Sequence, residues 1–147
     1  MTTLNPEIID LVTKQKANET EVAKYLENSK AESFLKIIFQ ALALDSRKHA
    51  LLYDAVLEVT RGFRFYSEED KEAALSEMEK HIDAEKIMLD ETLKLASEVH
   101  DPQLKIVIDH IAEDEKRHHT LLSKVIEALR SVELETDRVY YDWIAGL

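Results

Sequence analysis

Residues 102–129 read PQLKIVIDHIAEDEKRHHTLLSKVIEAL, and this stretch decides the fold. Leu104, Ile108, Ile111, Leu122, Val125 and Leu129 recur at helical spacing and predict one apolar face. Two polar residues, Glu115 and His118, fall inside that face, three apart and so on the same side of a helix. Asp101-Pro102 supplies the start signal, a side-chain cap followed by proline at the first helical position.

Three further stretches carry the same pattern. The first opens at Asn5-Pro6-Glu7, with a stripe of Ile8, Leu11, Val12, Val22 and Leu26 interrupted by Gln15 and Glu19. The second is predicted to start at Ser29-Lys30-Ala31-Glu32, a capping box. Its stripe of Leu35, Ile38, Leu42, Leu52, Val56 and Val59 is broken by Asp45 and His49, and Gly62 ends it. The third begins at Ser67 with Asp70 and runs Leu75, Met78, Ile82, Leu89, Leu93, Ala96 and Val99; Glu85 interrupts it, with His81 one turn earlier. Residues 133–147, with Tyr140, Tyr141 and Trp143, read as a short terminal helix and a candidate dimer contact. Asp45-Ser-Arg-Lys-His49 aligns with Asp114-Glu-Lys-Arg-His118 at an offset of 69 residues, so the chain reads as two related hairpins, about 5–60 and 67–131.

Composition agrees with an all-α four-helix bundle forming one domain over residues 1–147. Two Gly and two Pro leave too few turns for a strand-rich fold. The absence of Cys excludes disulfides, thiolate zinc sites and iron–sulfur clusters, and confines any metal ligand to oxygen or imidazole. A net charge of -11 repels nucleic acid and anionic lipid. No apolar run reaches the ~20 residues of a membrane span. Met1–Leu11 shows neither a basic nor an apolar leader region, and the expected compartment is the cytoplasm.

Burying carboxylates on several inner stripes without partners costs several kcal/mol each, and few basic residues share those stripes. A bound cation offsets that cost, and the His/carboxylate set suits iron or manganese. The candidate ligands are Glu115, His118, His49, Glu85, Asp45, Glu19 and His81. Each has an ordinary alternative. Glu115 and His118 can form an ion pair; Asp45 can merely orient a His ring; Glu19 can pair with Lys16 or Lys24; His81 can support Glu85. His119 reads as a boundary or surface residue, His100 and His110 as loop and surface, and Tyr25 and Tyr53 as core aromatics.

The segments around His49, His81-Ile-Asp-Ala-Glu85 and Asp114-Glu-Lys-Arg-His118-His119 resemble the rubrerythrin/ferritin-like superfamily, over about residues 5–131. The resemblance implies a ferritin-like bundle in which Glu115 bridges two metals, His118 and His49 are imidazole ligands, and Glu85 and Glu19 are the carboxylates of the other two helices. It implies two iron ions, with manganese or zinc as substitutes, reacting with dioxygen or peroxide as in a rubrerythrin-like peroxidase or ferroxidase. An electron donor and a homodimer are the partners it suggests. The family's second bridging Glu falls on Ser46, and no cysteine is present for a rubredoxin-type iron site.

Ser46 keeps two other readings open: a mononuclear metal-binding protein, and a degenerate bundle acting as a non-catalytic binding module. Topology stays open as well. A crossover from the second helix to the third must return along a ~45 Å helix, and about eight residues reach at most ~27 Å. That reach favours an up-down-up-down bundle or a hairpin exchanged between chains. In up-down geometry, Gln15 is expected nearer the layer of His49 than Glu19 is.

Overall fold

The computed structural model describes the backbone of residues 5–62 and 71–145 and the side chains of residues 5–62 and 71–130. Among the described residues the protein is all-α, with four helices: α1 (Pro6–Glu27), α2 (Ser33–Thr60), α3 (Lys71–Glu98) and α4 (Pro102–Ala145). The chain falls into two compact units, residues 1–65 and 66–147. In the first, α1 packs on α2; in the second, α3 packs on α4. No helix among the described residues is long and apolar enough to cross a membrane.

The helix ends follow local chemistry. Asn5 Oδ1 accepts from the Glu7 N–H at 2.8 Å, and Pro6 occupies the first turn. Asp101 Oδ1 accepts from the N–H groups of Gln103 (2.9 Å) and Leu104 (3.1 Å), so the cap expected there is formed. Gly62, at φ 96°, follows the C-cap Arg61 of α2 and takes the left-handed backbone that glycine adopts without a Cβ clash. The start expected at Ser67 and Asp70 lies outside the described residues. The tail expected as a separate short helix continues α4 in its backbone, as far as Ala145.

The capping box expected at Ser29 does not form. Ser29 Oγ instead accepts from the Ala31 N–H two residues on (3.1 Å), closing a serine turn. Helix α2 then begins at Ser33, with Glu32 as a cap residue that makes no side-chain bond. Ser33 itself sits at φ 57°, a left-handed conformation that costs a non-glycine residue about 1–2 kcal/mol.

This turn sets the register of the first hairpin. Going up α2, Arg47 meets Glu27, His49 meets Glu19 and Asp54 meets Lys16, so α1 and α2 run antiparallel. The expectation that Gln15 lies nearer His49 is corrected: the later start of α2 slides the pairing by about one turn and brings Glu19 opposite. Ala23, Ala43 and Leu57 are buried in this unit, and small side chains there let the helices approach closely. In the second hairpin Glu79 pairs with Arg130 and Glu85 lies by Glu115, again antiparallel, with Ala112, Ile126 and Leu129 buried. Tyr25, expected in the core, is 79% exposed beside the first turn.

Candidate metal centre

Glu85 projects from the middle of α3, and Glu115 and His118 from one face of α4. One ligand atom of each lies within 4.8 Å of the others. Antiparallel packing brings the three together, because each is placed near the middle of its helix.

The Glu85 and Glu115 carboxyls face each other across the hairpin, with ligand atoms within 4.8 Å. Hydrogen bonding with Glu85 is the main cause that raises the Glu115 carboxyl above its ordinary range. Desolvation adds to it, then the charges of Glu85 and Asp114, while His118 pulls the other way. Glu85 Oε2 and Glu115 Oε2 are shielded from solvent and have no hydrogen-bond partner. Shielded carboxylate oxygens left without donors are costly, and a divalent cation satisfies both at once. Two carboxylates and an imidazole fit iron, manganese or zinc. Beside the trio a groove of about 340 Å³ is lined by Met78, His81, Leu121, Leu122 and Val125. His81 therefore borders the cluster without belonging to its three grouped ligands.

The first hairpin holds a second carboxylate–imidazole pair. His49 Nδ1 lies 3.2 Å from Glu19 Oε1. The lysines that offered Glu19 an ordinary partner go elsewhere: Lys16 pairs with Asp54, and Lys24 approaches Glu21 at 3.8 Å. A groove of about 390 Å³ opens next to the pair, lined also by Leu52, Tyr53 and Val56. Asp45 pairs with Lys48 at 3.2 Å. Ser46 is buried at 8% exposure.

His119 was not among the candidates, yet it is half-buried, and its Nδ1 is shielded and without a partner. Its signal was present in the sequence: it stands seven residues from both Ala112 and Ile126, which are buried. His110 lies on the surface as expected, 3.4 Å from Asp114. Compared with known proteins, the chain matches no family model, no curated protein and no solved structure.

Proposed function

We propose that this is a ferritin-like metal-binding protein whose carboxylate/imidazole residues hold iron, or manganese in its place, and that it reacts with dioxygen or peroxide. The single observation that carries the reading is the Glu85–Glu115–His118 cluster with its two shielded, unpartnered carboxylate oxygens. Iron held by these residues would supply the reducing electrons for dioxygen or peroxide, with an external donor as the partner.

The residues have separable roles in this reading. Glu85 and Glu115 provide the negative charge that offsets the cation, and Glu115 gives up its proton to do so. His118 offers an imidazole nitrogen. Glu19 and His49 supply donors for a second ion. Met78, Leu121, Leu122 and Val125 supply the apolar part of a groove, completed by His81, Glu85 and His118, that a small oxidant can enter. We assign the protein to the cytoplasm.

The test is metal content after purification, followed by addition of Fe(II) in air and the appearance of ferric absorbance. Two ions per chain and rapid oxidation support the reading. Absence of bound metal, or unchanged binding in Glu115→Ala/His118→Ala, overturns it. A mononuclear reading has its own support, because α2 presents Ser46 where a second bridging carboxylate is needed. One ion per chain, unaffected by Glu19→Ala/His49→Ala, selects that reading.

A further inference from the structure

Helix α2 carries more apolar surface than its hairpin uses. Its α1-facing side is set by contacts: Arg47 and Asp54 reach α1 from one flank, His49 from the other, and Ala43, Ser46 and Leu57 are buried between. On the opposite side, about 180° around the helix, run Phe34, Ile37, Ala41, Leu44, Leu51 and Ala55. Ile37, Leu44 and Leu51 are 62%, 69% and 70% exposed. Alternating steps of three and four, with Lys48 filling the one polar place, make this a heptad seam.

The internal repeat provides a control. At the offset of 69 residues, α4 carries Gln103, Ile106, His110, Glu113, Thr120 and Lys124 at the same places, an ordinary polar outer face with one isoleucine. A hairpin of this kind therefore does not require the seam on α2.

We infer that the seam is a dimer interface, and that its occupant is α2 of a second copy of the chain, packed antiparallel. Two features fix the direction. A parallel pair would set Lys48 against Lys48 and Ala41 against Ala41, a like-charge contact next to a void. The antiparallel pair sets Ala41 against Leu44, Phe34 against Leu51, and the Lys48 stem over Ile37, matching small to large and separating the lysines. The size is adequate. At roughly 100 Å² per large side chain, the four big residues of each copy contribute about 800 Å² together. The alanines and the Lys48 stem bring the total near the about 1,200 Å² lower bound of specific interfaces, the class of weak, reversible dimers.

The test uses the full chain in sedimentation equilibrium. Wild type is expected to dimerise at micromolar concentration. Leu44→Glu, which puts a charge in the seam, is expected to weaken the dimer at least about 100-fold with unchanged helicity. Ile106→Glu, on α4 at the counterpart of Ile37 and as exposed as Leu44, leaves the dimer intact. Because the chain has no cysteine, direction is read by oxidation: Phe34→Cys mixed with Leu51→Cys cross-links, and neither does so alone. A monomeric wild type overturns the proposal. So does a Leu44→Glu variant that loses thermal stability with no change of mass, which means that the chain's own residues cover the seam. Cross-linking of each single variant with itself overturns the antiparallel arrangement.

Discussion

Glu115 faces Glu85 across the α3–α4 hairpin with ligand atoms within 4.8 Å, and hydrogen bonding with Glu85 raises the Glu115 carboxyl, so the folded chain holds that proton more tightly than the unfolded chain does. With its folded value raised above the ordinary 4.5, Glu115 adds stability at low pH, and that contribution is lost as pH rises through the raised value. In Glu115→Gln the amide keeps a donor for Glu85 and cannot ionise. Partial solvent screening keeps the effect small: metal-free Glu115→Gln is expected to be more stable than wild type by a few tenths to about 1 kcal/mol near neutral pH. Near pH 4.5 the two should be nearly equal. Urea unfolding at both pH values measures this, and equal pH slopes in the two proteins would refute it.

The same proton competes with a metal. Binding a cation to Glu85 and Glu115 displaces it, so affinity for Mn(II) or Zn(II) is expected to rise with pH, by up to about tenfold per unit below the raised value of Glu115. Loss of an outer-shell partner costs about 10–100-fold in affinity, so loss of a ligand in His118→Ala should cost at least that at every pH. Competition with a chromophoric chelator at two pH values reads both effects. An affinity independent of pH would mean that the metal binds elsewhere.

In the first hairpin, register and packing can be separated. Arg47 donates to Glu27 through Nε (2.5 Å) and Nη2 (2.7 Å), a forked pair that holds the Glu27 carboxyl below its usual range. Its stabilising effect is present above the ordinary glutamate value and lost as pH falls through the lowered one. The pair is exposed, so Glu27→Gln is expected to lower Tm by no more than about 2 °C, and 1 M NaCl should erase the difference. Ala43→Leu acts differently. Overfilling a buried site between two helices costs about 1–3 kcal/mol and is insensitive to salt. Melting curves at low and high salt distinguish the two, and a salt-insensitive loss in Glu27→Gln would contradict the argument.

Local signals were legible in the sequence and pairings across the hairpin were less so. Asn5 and Asp101 cap their helices because the bond closes within three residues. Glu85, Glu115 and His118 could be found because carboxylates inside an apolar stripe conflict with burial unless something offsets them. Ser29 misled, because one hydroxyl can close either a capping box or a serine turn, and four residues of sequence do not choose between them. The one-turn error at Glu19 followed from that choice. Nor does sequence say that Lys16 reaches across to Asp54 rather than along α1, which is what leaves Glu19 to His49. The all-α class was the easiest part, since capped periodic stretches with so few glycines and prolines have few alternatives.

Ser46 tests how much of a metal site α2 can support. It is buried and stands three residues before His49, so Ser46→Glu creates Glu-x-x-His on α2 to match Glu115 and His118 on α4. Without metal the new carboxylate has no partner, and a loss of about 1–3 kcal/mol, or roughly 3–10 °C in Tm, is expected. Metal at about 100 times its Kd returns about 2.7 kcal/mol, enough to offset that loss. The expected outcome is a variant that is less stable without metal, recovers in excess Mn(II), and holds the same two ions per chain as wild type with higher affinity for the second. If affinity does not change and its Tm does not recover, α2 offers no usable ligand geometry, and any metal chemistry is confined to Glu85, Glu115 and His118. A wild-type chain that binds one ion and a variant that binds two would instead select the mononuclear reading, with Glu19 and His49 insufficient for a second ion.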